Sequence, residues 1–185
     1  MIILFEGPLG SGKSLCSTAF AVMEHYDHVK ASGIGKKIIS STHIYGIPTW
    51  ELLTYETFIS WMKEEEELSN AIVILDEAYL FVDSRLSQSS LSRLMSYFFM
   101  QTRKRHVDLY VCSQQYENVD IRLRRNIDVR AICRSDKSTG WCKIRFINMR
   151  TGKKRNIKLY GPEFYPYFDT DEIPHLRPAH TNITL

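Results

Sequence analysis

The sequence predicts an α/β fold of three layers, in which a mainly parallel central sheet lies between helices and a C-terminal β-hairpin extends that sheet. Along residues 1–135, short continuous apolar runs alternate with segments of helical periodicity, which is typical of parallel strands buried on both faces. After residue 140 the pattern changes to two strand-like segments joined by a turn that contains glycine. The 185 residues are enough for one such domain with a full core.

The first half of the chain is expected to alternate strands and helices. Apolar runs bounded by glycine, proline or serine indicate the strands. The first strand is Ile2–Phe5, Lys37–Ser41 with His43–Tyr45 form the second, and Ala71–Leu75 is the third. Helical spacing of apolar residues predicts one helix from Ser14 and a second from Trp50 to about Leu68, which Thr49 can cap.

The second half continues with a serine-rich loop and a helix around Leu91–Thr102. The strands expected after it are Leu109–Ser113, Val129–Cys133 and a hairpin of Trp141–Met149 with Lys154–Tyr160. Four of the six prolines fall in residues 161–185, which predicts an irregular tail. We therefore expect the domain to cover residues 1–160 and the tail to cover residues 161–185.

The composition excludes several classes of protein. With 44% apolar and 24% charged residues, the chain is neither fibrous nor wholly disordered. Its longest apolar runs, such as Ala71–Leu75, are far shorter than the roughly 20 residues that span a bilayer, and its N-terminus lacks the basic leader of a signal peptide. We expect a cytoplasmic protein with no membrane segment. The four cysteines form no C-x-x-C pair, so we expect reduced, mostly buried thiols.

Charge is distributed unevenly along the chain. Residues 1–100 carry 7 Lys and Arg against 12 Asp and Glu, a net charge of −5, whereas residues 101–185 carry 17 against 9, a net charge of +8. The basic half is therefore the part expected to contact phosphates.

A glycine-rich segment between the first strand and the first helix matches G-x-x-x-x-G-K-[ST] in full. Glycines let the backbone curl so that its N–H groups point inward at a phosphate, and the helix N-terminus adds positive potential. We expect Lys13 to bridge the β- and γ-phosphates of a nucleoside triphosphate and Ser14 to ligate Mg²⁺. The residues expected to hold the nucleotide are Gly7, Pro8, Leu9, Gly10, Ser11, Gly12, Lys13, Ser14 and Leu15.

Two carboxylates follow the third buried strand. Asp76 is expected to hold the Mg²⁺, partly through its water shell, because a carboxylate at the carboxyl end of such a strand faces the phosphate site. Glu77 is placed to orient and deprotonate an attacking water, which favours hydrolysis over transfer to another substrate.

The next strand and the basic segment after it supply the remaining candidates. Gln114, with Gln115 as second choice, is expected to contact the γ-phosphate and the attacking water. Arg122 or Arg124 is the candidate for an arginine that reaches the phosphates of a neighbouring subunit, and solvent or nucleic acid are the alternatives for this cluster.

With these residues in place, the chain resembles the additional-strand, catalytic-glutamate group of P-loop ATPases, and within it the HerA/FtsK superfamily of DNA-pumping motors. There it is similar to viral genome-packaging ATPases and to the zonula occludens toxin-like (Zot) proteins of filamentous phages. The resemblance covers roughly residues 1–135. The segments that carry it are Gly7–Ser14, Ile74–Glu77, Arg105–Gln114 and Val119–Arg124.

The resemblance implies a homo-oligomeric ring, expected to be a hexamer, with ATP at the subunit interfaces and an arginine supplied in trans. It implies double-stranded DNA, held through its backbone, and a docking partner in the virion or at a capsid vertex. The sequence shows neither an N-terminal barrel nor a membrane segment, which favours a minimal viral packaging motor in the host cytoplasm, with association with the virion.

Three alternatives to a DNA-translocating ATPase stay open at this point. The first is a Zot-like assembly ATPase that drives particle extrusion without pumping duplex DNA. The second is a small P-loop kinase, against which Glu77 directly follows Asp76. The third is a binding module or switch in which hydrolysis is slow.

Overall fold

The computed structural model describes residues 1–63, 68–76 and 98–169, which form a single eight-stranded sheet flanked by helices. The strands are β1 Ile2–Glu6, β2 Lys37–Ser40, β3 Trp50–Leu52, β4 Ala71–Leu75, β5 Asp108–Ser113, β6 Val129–Asp136, β7 Trp141–Asn148 and β8 Lys154–Tyr160. The helices are α1 Lys13–Ser32, α2 Tyr55–Met62 and the short α3 Ile121–Arg124, and residues 98–101 are also helical.

The strand order is β3-β2-β4-β5-β1-β6-β7-β8, and the first six strands are parallel. β5 lies between β1, which leads into the glycine-rich segment, and β4, which leads into Asp76. This is the additional strand that the resemblance implied. The predicted fold class, a three-layer P-loop NTPase with a mainly parallel sheet and a C-terminal hairpin, is confirmed.

The parallel strands are buried on both faces, which explains their continuous apolar sequences. In β1, Ile2 and Leu4 join a core on the side of α2, whereas Ile3 and Phe5 join a core beneath α1. α1 supplies a long apolar face to the second core and ends at Gly33, which adopts a left-handed φ of 78°. Within the described part of the chain, no helix combines the length and the apolar character that crossing a membrane would need.

The C-terminal hairpin is confirmed and continues the sheet. β7 pairs antiparallel with both β6 and β8, and the β7–β8 turn closes through Gly152 at a φ of 69°. One face of the hairpin packs on α1, because alternate residues such as Cys142 and Ile144 are buried there. All four cysteines are free and buried, as expected.

The helix predicted from Trp50 is wrong in its first residues. Trp50–Leu52 instead form β3, which pairs parallel with β2 at the edge of the sheet. Thr54, not Thr49, caps the helix, since its Oγ1 accepts a hydrogen bond of 3.1 Å from the backbone N–H of Thr57. Thr54 lies five residues after Thr49, and the pairing of Trp50–Leu52 with β2 decides which of the two caps the helix.

Other expectations differ from the structure at their ends. His43–Tyr45 is not a strand; the His43 ring packs on Trp50 with 4.0 Å between centroids. β6 runs three residues beyond the predicted Cys133. The predicted serine-rich loop, most of the helix over residues 91–102 and residues 170–185 lie outside the described residues. The boundary at residue 160 stays a prediction, although Phe164 after it is buried.

A partly buried charge network closes the amino ends of the central strands, opposite the glycine-rich segment. Lys36 Nζ lies 2.9 Å from Glu24 Oε1 and also pairs with Asp108, and its side chain is 10% exposed. Tyr110 donates a 2.5 Å hydrogen bond to Glu24. Burial acts to raise the pKa of Asp108, but its hydrogen bonds, with that from Lys36 foremost, and the charge of Lys36 together outweigh burial and hold that pKa below its usual value.

We expect Lys36→Met to destabilise the fold by about 2–4 kcal/mol at pH 7, because it removes the buried cation that Asp108 and Glu24 share and leaves Asp108 paired with the exposed N-terminal ammonium of Met1. The lowered pKa of Asp108 means that its stabilising effect in the parent is present above the ordinary Asp pKa of about 4 and is lost as the pH falls further. In the variant Asp108 loses the hydrogen bond and charge of Lys36 that lower its pKa and gains a proton more readily, so the difference in stability between parent and variant should narrow at acidic pH.

Urea unfolding at pH 7 and at about pH 4.5 measures both effects. The matched control is Lys37→Met, since Lys37 makes only an exposed ion pair with Glu51 and should change stability by less than about 0.5 kcal/mol. An equal loss in the two variants would contradict a structural role for the network.

Candidate nucleotide-binding site

The glycine-rich loop lies where the sequence predicted it, between the carboxyl end of β1 and the first turn of α1. Gly12 is the residue before the helix, with a left-handed φ of 83°, and no side chain caps the first turn. The first N–H groups of a helix have no partner within that helix, and here they are directed at the loop. A loop of this kind at a helix N-terminus is suited to binding phosphate.

The loop is seated tightly on β6 and β7. A Cβ at Gly7 would lie 2.7 Å from the carbonyl oxygen of Cys133, and a Cβ at Gly12 would lie 3.1 Å from the sulfur of Cys142 and 3.3 Å from the Cβ of Ser135. Side chains at either position would push the backbone off the sheet. Both glycines are therefore required by close approach as well as by conformation.

The polar side chains of the loop remain available for a ligand. Lys13 folds back so that its Nζ donates a 3.0 Å hydrogen bond to the carbonyl of Pro8, which places the ammonium over the loop. Ser11 Oγ is buried and has no hydrogen-bond partner in the described part of the chain. These features fit a phosphate group, which would accept bonds from Lys13 and from the helix N-terminus.

Asp76 lies at the same edge of the sheet. Leu75 and Leu4 both pair with Val111 of β5, so Asp76 is level with Phe5, two residues before the loop begins. Two strand spacings, about 10 Å, separate the β4 and β1 backbones. The buried Asp76 is held by a 2.9 Å hydrogen bond that its backbone N–H donates to Ser41 Oγ.

The electrostatics of Cys112 place Asp76 and Lys13 near the same point. Burial raises the pKa of the Cys112 thiol, the charge of Asp76 raises it further, and the charge of Lys13 opposes that rise. Cys112 lies on β5, between β4, which leads into Asp76, and β1, which leads into the loop of Lys13. No group of three His, Cys, Asp or Glu side chains within residues 1–63, 68–76 and 98–169 could hold a metal by itself.

The other predicted catalytic residues differ in how the structure places them. Glu77 lies outside the described residues. Gln114 is exposed and directly follows Ser113, which pairs with Glu6 at the end of β1. Gln114 is therefore next to the start of the loop, between it and the end of β4, and its contact with phosphate stays a prediction.

The two candidate arginines lie on α3, which Asp120 caps by accepting a 2.7 Å hydrogen bond from the backbone N–H of Arg122. Arg122 is half-buried. Arg124 packs its guanidinium over the ring of Tyr116 in its own chain, 5.5 Å from the centroid. Arg130 covers the same ring at 4.5 Å. Action of either candidate in a neighbouring subunit stays a prediction.

Sequence reasoning missed Lys137, which lies in the turn between β6 and β7. A Cβ at Gly10 would be 3.8 Å from Lys137 Nζ, so a second ammonium lies beside the loop. The neighbouring Asp136 directs its carboxylate to the N–H and hydroxyl of Ser138, which donate hydrogen bonds to its Oδ1. Among the described residues Lys137 forms no ion pair. No sequence motif marks a lysine 124 positions from Lys13; only β6 pairing beside β1 brings them together.

Comparison with protein families agrees with this geometry. The family described as Zonular occludens toxin (Zot) matches residues 1–153, most of the chain. The chain belongs to the Zot family. That match includes the loop, Asp76 and the predicted arginines. Among curated proteins, none matches this Zot-family chain.

Solved structures share the fold at low sequence identity. The N-terminal domain of zonular occludens toxin from Neisseria meningitidis is 16% identical with a TM-score of 0.69, over 91% of this chain and 98% of that one. The genome packaging NTPase B204 from Sulfolobus turreted icosahedral virus 2, in complex with ATP-gammaS, is 12% identical with a TM-score of 0.58, over 86% and 97%. The predicted resemblance to Zot proteins and viral packaging ATPases is confirmed.

We expect Lys13→Ala to weaken binding of ATP by roughly 100-fold, because it removes the charge that contacts phosphate directly.

Lys137→Met should weaken binding of ATP by about fivefold, the effect of one partly solvated charge near the phosphates. Titration with a fluorescent ATP analogue measures both affinities. Lys153→Met, in the distant β7–β8 turn, is the control and should bind as the parent does. Parental affinity in Lys137→Met would contradict a role for this lysine.

Proposed function

We propose that this Zot-family protein is an ATPase that uses hydrolysis to translocate double-stranded DNA, as in viral genome packaging. The observation that carries the proposal is the uncapped loop of Gly7–Ser14, with Lys13 over it and Asp76 at the same sheet edge. β5 lies between β1, which leads into the loop, and β4, which leads into Asp76. Such an inserted strand agrees with the additional-strand group of P-loop ATPases.

In the proposed reaction, Lys13 and the loop N–H groups hold the phosphates of ATP, while Ser14 and Asp76 hold Mg²⁺, partly through water. The metal would neutralise charge on the phosphates. Glu77 would take a proton from the attacking water, and Gln114 would position that water against the γ-phosphate. Arg122 or Arg124 of a neighbouring subunit would stabilise the charge that develops.

Several observations support DNA as the polymer and a ring as the assembly. A related fold belongs to a protein described as the DNA-packaging ATPase from Sulfolobus turreted icosahedral virus. The excess of basic residues after residue 100 suits a phosphate backbone. We extend the proposal to membership of the HerA/FtsK superfamily, a hexameric ring, a partner in the virion or capsid vertex, and a location in the host cytoplasm and on the virion.

The family match favours one second candidate, a Zot-like ATPase that drives phage assembly or extrusion without pumping duplex DNA. Both candidates hydrolyse ATP. They differ in whether duplex DNA changes the rate, so the effect of DNA on turnover separates them.

Glu77→Gln should keep ATP affinity and lower the hydrolysis rate by roughly 10²–10⁴-fold, since the amide keeps the shape of the side chain but cannot accept the proton. Phosphate release without an added acceptor measures this rate, and steady release by the parent opposes the kinase alternative. Undiminished turnover in the variant would remove Glu77 from the mechanism.

Duplex DNA should stimulate hydrolysis by the parent protein, and the stimulation should fade steeply as salt rises, because binding that neutralises phosphates releases counterions. Different duplex sequences should act alike, since a translocase contacts the backbone rather than base edges. Rates measured with and without DNA at several salt concentrations test this. A rate that DNA leaves unchanged at every salt concentration would favour the assembly ATPase.

A further inference from the structure

The outer face of the hairpin carries a cluster of cations that no part of the nucleotide site uses. We call it the basic sheet face; it consists of Arg134, Lys143, Arg145 and Lys158, all exposed. These four side chains line one shallow depression together with Ile132 and Asn156. It lies on the side of the sheet opposite α1, because Cys142, Ile144 and Leu159 point the other way into the core beneath α1.

Strand register places like charges directly opposite each other on this face. Arg134 pairs with Lys143 across β6 and β7, and Lys143 pairs with Lys158 across β7 and β8. One row of three cations therefore crosses three strands, about 10 Å from end to end. Like charges opposite each other in antiparallel strands destabilise the pairing, so a protein without an anionic partner gains nothing from this arrangement.

The face has little negative charge to offset the row. Among the described residues, none of its four cations forms an ion pair. Arg145 donates a 3.2 Å hydrogen bond to the neutral Asn156. Asp136, on the same side of β6, directs its carboxylate to Ser138 in the adjoining turn.

Protection of a sheet edge explains only part of the cluster. β8 is the last strand of the sheet, and lysines on an edge strand oppose pairing with another chain. Lys158 could serve that purpose. Lys143 lies on β7, which pairs with β6 and β8 at that position, so edge protection gives no reason for it; the ladder of β6 with β1 ends at Ile132, before Arg134.

We propose that the basic sheet face binds the phosphate backbone of duplex DNA. The inference rests on the proposed DNA-translocating function and assigns the surface that holds the polymer. A flat row of cations contacts phosphates without reading base edges, which suits a protein that moves along any sequence. The proposal also distinguishes among the basic residues of the hairpin. Arg155 lies on the opposite face of β8, with Ile157 and Leu159, and is therefore not part of the basic sheet face.

The test compares two double variants that remove equal charge from the same hairpin. Lys143→Ala with Lys158→Ala removes two cations of the face, and Lys153→Ala with Arg155→Ala is the matched control. Binding of a fluorescent 30-base-pair duplex is measured without nucleotide at several salt concentrations. The face variant should bind at least tenfold more weakly at about 0.1 M salt, and the slope of log K against log salt should become shallower by about 1.8. The control should keep the slope of the parent.

Equal binding by parent, face variant and control would overturn this assignment while leaving a DNA-stimulated ATPase intact. No binding and no stimulation of the parent by duplex DNA would overturn the translocase proposal as well. If the face variant bound single-stranded DNA more weakly than the parent but bound duplex DNA equally well, duplex DNA would also be rejected as the ligand of the basic sheet face. If the face variant aggregates on loss of Lys158, Arg134→Ala with Lys143→Ala on the inner strands replaces it, and the same losses are expected.

Discussion

The close approach of the glycine-rich loop to β6 and β7 is the constraint on which the site depends. With less than van der Waals room for a Cβ at Gly7, the chain can leave β1, curl and enter α1 only along one path. That path determines where Lys13, Ser14 and the uncapped amides of α1 point. The strands that form the support for the loop are also the ones that carry Lys137 and the basic sheet face.

The order of the parallel strands has a comparable effect on the catalytic edge. Because β5 is inserted between β1 and β4, Asp76 and the loop are two strands apart and the residue that follows β5 lies between them. Gln114 at that position therefore lies between Asp76 and the loop, and its contact with the γ-phosphate and the attacking water stays a prediction. The charge network of Lys36 closes the other end of the same strands, far from the chemistry.

Much of this arrangement could be predicted from the sequence, because its signals are local. Continuous apolar runs identified the parallel strands. The residues of the loop motif are close together at fixed spacing, so the motif could be recognised without knowledge of the fold. Choices between equivalent local signals could not be predicted: Thr49 and Thr54 are both adequate caps, and only the pairing of Trp50–Leu52 with β2 selects the second. Lys137 could not be found because its importance comes from a contact made by strand order. Likewise, the register of β8 was needed to show that Lys158 and Arg155 lie on opposite faces of the hairpin.

The contacts of Gly12 have a mechanical consequence. Gly12 approaches Ser135 and Cys142 on one side of the sheet, and the residues next to these along the chain, Arg134 and Lys143, face the other side. The loop and the row of cations are thus back to back across one layer of backbone. A displacement of the loop that moved β6 and β7 would therefore move the row of cations as well, because both rest on the same two strands.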